Sequence, residues 1–337
     1  MTVSTMFSTR VLWPAIARVL IGLVAASGFL GAAGSKALAF PVEVQSCFDK
    51  VTFDAPPKRP VVNDFNMVQT VLDMGLINRF VGVAGIGGVA KGVDDPEGVL
   101  ARVPQFSERY PTTEAILGQD ADFYFAGWQY GFSEASGVTP KKLEELGVKT
   151  YVLYESCIRI GPRPPISMET MYADVLALGR IFDVTPKAEA MVTDFRKRVA
   201  AVTDRTAQAK RRPRIMYCGD CNSDTPPRSI GAEGMPRHLF NLAGGENIFD
   251  DIKDSYVPVS WDAVIERDPE WIVISNPRIP PEQSIAYLTS APALRNVSAV
   301  KNRNFFIMSY QERSPSTRNV QALERLARSV HPDLFKD

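Results

Sequence analysis

The residues with the most reactive chemistry in this sequence are its four cysteines, Cys47, Cys157, Cys218 and Cys221. An even number of thiols suits a disulfide framework if the chain reaches an oxidising compartment. Four cysteines permit three pairings; the preferred one is Cys47–Cys157, with Cys218–Cys221 closing a tight local loop. The run Cys218-Gly219-Asp220-Cys221 could instead hold a metal through thiolates or act as a redox pair. That alternative asks for a second ligand pair at comparable spacing or a thioredoxin-like context, and the sequence offers neither. Imidazole is the commonest transition-metal ligand, yet the only histidines are His238 and His331, so no residue is assigned to a bare metal ion. Acid–base work would fall to carboxylates beside the cysteine pair, Asp220 and Asp224. No phosphate loop, nucleophile elbow or His-Glu-x-x-His run accompanies them, and no catalytic residue is expected.

Recognition is better supplied than catalysis. Trp128, Gln129 and Tyr130 sit between Gly127 and Gly131. Large rigid rings bury much apolar area against a flat or hydrophobic ligand at low entropic cost, which makes Trp128 and Tyr130 the leading candidate contacts, opened to solvent by their glycine neighbours. Tyr217, Tyr256 and Tyr310 add rings and phenol donors. Arg228, Arg237 and Arg313, with Arg159 and Arg163, could neutralise an anion, since guanidinium presents a planar array of donors.

A scaffold must bring these residues together, and the chain alternates short β-branched or aromatic runs with helical patterns. Strands are expected at Arg59–Val62, Phe80–Val83, Phe123–Ala126, Thr150–Leu153, Arg214–Tyr217, Trp271–Ile274 and Phe305–Met308. Helices are expected after Asn63–Asn66, at Glu114–Gly118, at Lys141–Leu146, at Met235–Ala243, from Ser260, and at Val320–Val330. The longest helical pattern runs from Met168 to about Ala209, with one break at Thr185-Pro186. Strand–helix alternation implies an α/β fold with mostly parallel sheets. The length suggests about two domains: residues 40–165 as a first lobe, 166–212 as a helical connector, and 213–337 as a second lobe.

Residues 1–39 are excluded from that fold. Arg10 and Arg18 flank the start of an apolar stretch, Val19–Ala33, that ends in Lys36-Ala37-Leu38-Ala39, the pattern of a secretory signal cut before Phe40. Cys47 follows Val44-Gln45-Ser46 and lacks a lipoprotein context, so the mature chain is expected free in the periplasm. Acidic and basic residues balance at 38 each; losing Arg10, Arg18 and Lys36 leaves a slight acidic excess. No basic block marks a nucleic-acid partner.

The order and spacing of several segments carry a resemblance: Pro57–Val62, Leu72–Val83, Thr113–Leu117 and Ala121–Tyr124 in the first half. In the second half they are Leu242–Phe249, Val259–Asp262, Asp268–Ile274 and His331–Phe335. Together they resemble the periplasmic binding proteins of iron-siderophore, haem and cobalamin importers. The resemblance implies two Rossmann-like lobes with mostly parallel sheets joined by one long α-helix. It also implies a carboxylate on each lobe that docks on the importer's transmembrane subunits, here Glu114 and Asp262; the family usually has Glu in both lobes, so Asp262 is a departure. Both residues also fall in the first helical turn, where an acid is stabilised by the helix dipole.

Open α/β sheets bind ligands beyond the carboxyl ends of their strands. That rule selects Phe65, Trp128, Gln129 and Tyr130 in the first lobe, and Tyr217, Arg228, Arg237, Tyr256, Trp261, Tyr310 and Arg313 in the second. The expected ligand is a small-molecule metal chelate carried as cargo, with no intrinsic cofactor. An iron-siderophore ranks first and a cobalamin-like corrinoid second; tyrosine can hold haem iron, which keeps haem open. The expected partner is an ABC importer with its ATPase, and the expected state a monomer. A ligand sensor or an enzyme on the same scaffold is the competing class.

Overall fold

A computed structural model describes residues 40–87, 93, 95, 97–162 and 165–336. The expected leader, residues 1–39, and Arg163 lie outside the described residues. Among the described residues, no helix is long and apolar enough to cross a membrane.

The first lobe opens with an antiparallel hairpin, β1 (Val42–Ser46) and β2 (Asp49–Phe53). It continues through β3 (Pro60–Asn63), α1 (Phe65–Asp73), β4 (Gly82–Ala84), β5 (Gln105–Ser107), α2 (Thr113–Leu117), β6 (Phe123–Trp128), the two-residue β7 (Gly131–Phe132), α3 (Pro140–Glu145) and β8 (Lys149–Val152). The main sheet runs β5-β4-β3-β6-β8 with every pairing parallel. Strands β3 and β6 are buried along their whole length, as a parallel sheet covered on both faces requires, and that burial is why Val61-Val62 and Phe123–Ala126 read as unbroken apolar runs.

Two helices follow, α4 (Met168–Ile181) and α5 (Thr185–Thr206). The break falls at Phe182–Val184, where Asp183 has φ 54° and Pro186 enters the first turn of α5, a position that proline favours. Helix α4 folds back along α5: the Tyr172 and Phe195 rings stack at 6.3 Å, and Arg196 Nη2 meets Glu169 Oε2 at 2.6 Å. Gly179 permits the tight turn, because a Cβ there would lie 2.4 Å from that of Ala188. The long connector is therefore α5 alone, 22 residues, or about 33 Å of helix. It buries Ala188, Val192, Phe195 and Val202, one face at helical spacing.

The second lobe contains β9 (Arg214–Cys218), β10 (Arg228–Ile230), α6 (Met235–Leu242), β11 (Glu246–Asn247), β12 (Tyr256–Pro258), α7 (Trp261–Arg267), β13 (Trp271–Ile274), α8 (Pro281–Ser290), α9 (Ser298–Asn302), β14 (Phe305–Ile307), α10 (Tyr310–Arg313) and α11 (Asn319–Val330). Its main sheet is β11-β9-β13-β14, again all parallel, with β10 and β12 as a separate antiparallel pair. Helix α11 packs on α5, where Arg198 and Glu324 form a two-point ion pair at 2.8 and 2.7 Å. One hydrophobic core joins the lobes, running from Val62 and Phe125 through Phe195 to Ile215 and Leu323.

Beyond the last strand the chain forms the short helix α10 (Tyr310–Arg313), with Ser309 at its N-cap. Ser309 caps it by accepting from the Glu312 amide, while the Glu312 carboxylate returns to the Ser309 amide, a reciprocal capping box. Cys47 and Cys157 pair across 110 residues with Cα atoms 5.3 Å apart, and Cys218 joins Cys221 with Cα atoms 5.8 Å apart. The Cys47–Cys157 pairing is the one preferred from sequence, and Cys218 lies beside Cys221 as a tight local loop requires. Closing a loop of about 100 residues removes roughly 4–5 kcal/mol of unfolded-state freedom. Replacing Cys47 and Cys157 together by alanine should therefore cost stability of that order in urea unfolding, and leave little further effect of reductant at this pair.

Candidate functional site

Each sheet reverses its direction of winding once: between β3 and β6 in the first lobe, and between β9 and β13 in the second. Such switch points leave a crevice beyond the strand ends. The two crevices face one another and enclose a cleft of about 600 Å³. The first lobe lines it with Tyr110, Gln129, Tyr130 and Arg159. The second contributes Tyr217, Gly219, Asp220 and Arg228 from β9 and its exit loop, Asp254, Ser255 and Tyr256 around β12, and Ser275, Asn276, Pro277 and Arg278 beyond β13, with Tyr310 and Arg313 from α10.

The local sequence explains how these groups are held. The Asn63 side chain at the end of β3 donates to the Tyr130 carbonyl at 2.6 Å. The turn that presents Gln129 and Tyr130 needs Gln129 at φ 63° and closes against Gly131, where a Cβ would stand 2.6 Å from the Tyr124 hydroxyl and 2.8 Å from Asn63. Across the cleft, Tyr217 donates its hydroxyl to the Ser275 carbonyl at 2.9 Å. Asn276 ties the exit loops of β9 and β13 together by donating to the Asp220 carboxylate at 2.6 Å.

Aromatic rings and one guanidinium form a continuous stack through the site. Tyr217 meets Tyr256 edge-on at 5.7 Å, and the Arg313 guanidinium sits 5.4 Å from the Tyr256 ring and 4.5 Å from the Tyr310 ring. Tyr310 in turn packs on Phe65 of the first lobe at 6.0 Å. Cation–π contacts of this kind contribute about 0.5–2 kcal/mol each and fix the guanidinium plane. The stack reaches the first lobe through Asp64, whose carboxylate accepts from Tyr310 at 3.1 Å and from Tyr110. Asp64 holds φ 67° while capping α1, a strained backbone of the sort retained where surrounding contacts demand it.

Two buried acids lie behind the first-lobe wall. Asp174 accepts from the Tyr151 hydroxyl at 2.9 Å and the Tyr154 amide at 3.0 Å. Burial pushes its carboxyl up to about 7, beyond what those donors recover. Glu155, 5% exposed, is likewise pushed up to about 7 by burial, against the pull of Arg159 and Arg313. Among the described residues, no group of three or more histidine, cysteine or acidic side chains is arranged to hold a metal ion.

Two α/β lobes on a long helix enclose a polar cleft, and the sequence profile of periplasmic binding proteins matches residues 83–311. The chain belongs to the periplasmic binding protein family. This binding protein is 25% identical to a cobalamin-binding protein of Halobacterium salinarum over 304 residues, 88% of this chain and 76% of that one. Among solved structures it is similar to a periplasmic binding protein from Veillonella parvula, at 24% identity and TM-score 0.73, covering 87% of this chain and 98% of the other. A protein of an ABC-type Fe3+-hydroxamate transport system from Saccharomonospora viridis superposes equally well, at 24% identity and TM-score 0.73, covering 86% and 99%.

Of the residues singled out from sequence, the binding protein places Gln129, Tyr130, Tyr217, Arg228, Tyr256, Tyr310 and Arg313 on the cleft, with Arg159 and Asp220. Trp128 lies elsewhere. It is 8% exposed, and its ring packs on Phe132 at 6.0 Å. Strand alternation accounts for this: Trp128 shares a face of β6 with Tyr124 and Ala126, and all three belong to one small core cluster. Its glycine neighbours do not expose it. Phe65 stands behind Tyr310. Arg237 is committed to Asp250 through two bonds of 2.6 and 2.7 Å. Trp261 packs on Tyr287 at 5.7 Å and donates to the Ser223 carbonyl at 3.3 Å. Cys218 and Cys221 lie in the second-lobe core, and Asp224 accepts from Tyr287 at 2.8 Å. His331 contacts the Gly244 carbonyl at 3.1 Å, and burial lowers His238 to about 4.

Sequence reasoning missed Tyr110, Asp254, Ser255 and Ser275–Arg278. The strand-end rule applied to Trp271–Ile274 would have found the last group. Tyr110 follows β5, whose three residues give too short a pattern to recognise.

Because Asp174 binds its proton more tightly folded than unfolded, its contribution to stability is full below the unfolded carboxyl range, and is lost as pH rises from about 4 through about 7. Thermal unfolding should show this decline, and Asp174→Asn should flatten it; an unchanged slope in that variant would contradict the assignment.

Proposed function

We propose that this periplasmic binding protein, exported by cleavage before Phe40 without a lipid anchor, captures an iron-siderophore-type chelate as a monomer and delivers it to the transmembrane subunits of an ABC importer. The observation that carries this reading is the cleft's chemistry. Five tyrosines and four arginines face it, against the carboxylates of Asp220 and Asp254. Phenol and guanidinium donors suit the oxygen-rich shell of a ferric chelate, rings stack on its flat or apolar parts, and the cationic excess favours a ligand that is not itself positive. A volume of about 600 Å³ is in the ordinary range for a small-molecule site. The second reading is a corrinoid, supported by the likeness to a cobalamin-binding protein over 88% of the chain.

Glu114 and Asp262 are the proposed docking carboxylates. They occupy matching places, each the second residue of its helix and each exposed. The helix caps correspond too: Thr112 accepts from Ala115 at 3.3 Å and Ser260 from Ala263 at 3.1 Å. A backbone hydrogen bond at Glu114, and then the Thr112 hydroxyl, hold the Glu114 carboxyl below its ordinary range, so it stays charged. Charges at the two ends of an elongated face orient a partner and speed association more than they add affinity. The connector α5 would limit the lobes to a modest closure.

Two experiments test the reading. Intrinsic fluorescence titration with ferrichrome, ferric citrate, haem and cyanocobalamin should find a ligand whose affinity drops at least about tenfold in Arg313→Ala, roughly the loss of one charge-assisted contact. Binding of none of them would contradict the chelate assignment. Reversing both Glu114 and Asp262 to lysine should abolish uptake in cells while leaving that affinity unchanged; surviving uptake would remove the docking assignment.

A further inference from the structure

Glu155 is placed where a structural acid has little to do. It lies on the 3-10 turn Tyr154–Arg159, 5% exposed, and its Oε2 is buried without a hydrogen-bond partner. The charged and titratable groups around it come from several elements. They are Arg159 on its own turn and Arg313 on α10, the phenols of Tyr130 and Tyr256, and Asp174 on α4.

Arg313 has the complementary deficiency. Its Nε is buried and unpartnered, and its guanidinium is positioned by the Tyr256 and Tyr310 rings. A charge in a partly dry site is costly until it is paired and hydrogen-bonded. Glu155 and Arg313 feel one another without completing either requirement, and Arg313 lines the cleft while Glu155 stays behind it.

We propose that Glu155 is a proton-linked specificity residue: an anionic oxygen of the ligand, such as a carboxylate, takes over Arg313 and Arg159, and Glu155 takes up one proton from solvent as that anion seats. The step balances, since the ligand brings one negative charge into the site and the proton cancels the one on Glu155. This inference rests on the chelate reading of the cleft and adds the charge class of the cargo. Burial already lifts the Glu155 carboxyl to about 7, so a small change in its cationic surroundings is enough to shift it. With Glu155 ionised in the free protein above about pH 7, anion binding must take up a proton and weakens by up to tenfold per pH unit; below about pH 6 the dependence vanishes. A neutral chelate has no such linkage.

The test is titration calorimetry of the full mature chain and its Glu155→Gln variant with ferric citrate as the anionic probe and ferrichrome as the neutral one. Buffers of different ionisation heat, from about pH 6.5 to about pH 8.5, count the protons exchanged. Comparing the two proteins cancels the probe's own ionisation. The expected result is close to one proton more taken up by the wild type than by Glu155→Gln with ferric citrate at the alkaline end, and no difference with ferrichrome. If the variant does not fold, the wild-type difference between the two probes decides, after subtraction of the protons that ferric citrate exchanges over the same pH range without protein. Ferric citrate binding with equal proton counts, or ferrichrome binding without ferric citrate, would overturn the role of Glu155 and leave the chelate reading standing. Binding of neither probe, nor of haem or cyanocobalamin, would overturn both.

Discussion

The site depends on how residues 310–319 of the second lobe are anchored on the first. Tyr310 donates to Asp64 at 3.1 Å, the Pro315 carbonyl accepts from the buried Asn66 at 3.0 Å, and Arg318 pairs with Asp73 at 2.8 Å. Thr317 donates to the same carboxylate. The segment is held to its own shape by Asn319, which donates to the carbonyls of Glu312 and Ser314 at 2.9 Å each. These bonds are made inside a low-dielectric boundary, where an unmet partner costs more than a met one gains. The lobe arrangement is thereby specified at the place where the cleft begins, and Arg313 is carried into it. The strained backbone of Asp64 is maintained by the same contacts.

Much of the scaffold was legible because its signals are local or periodic. Val61-Val62 and Phe123–Ala126 read as strands because parallel strands are apolar on both faces, and Pro186 marks the break between α4 and α5. The Cys47–Cys157 pairing, preferred among three, brings together cysteines 110 residues apart. Less legible were short or non-periodic features. The antiparallel pairs β1–β2 and β10–β12 match residues across a turn in the first case and across an intervening helix and strand in the second. Helix α10 is four residues, too short for periodicity, although Ser309 and Glu312 carried its capping signature.

The cleft was legible to the extent that strand ends determine it. Tyr130, Tyr217 and Arg313 come from loops or elements that the strand-end rule selects. Trp128 shows where residue type alone misleads: a large ring between glycines suggested exposure, and the alternation of β6 turned it inward. Asp64 shows the opposite failure, since its importance comes from two tyrosines far away in sequence that converge only in the folded chain.

The central claim is that this cleft holds a metal chelate, and native mass spectrometry of the protein purified from its own host's exported fraction tests it most directly. The account predicts a folded chain beginning at Phe40 that carries a noncovalent mass with the isotope pattern of a bound metal. A chain that arrives bare and takes up no metal-containing molecule from the medium of its own host would contradict it.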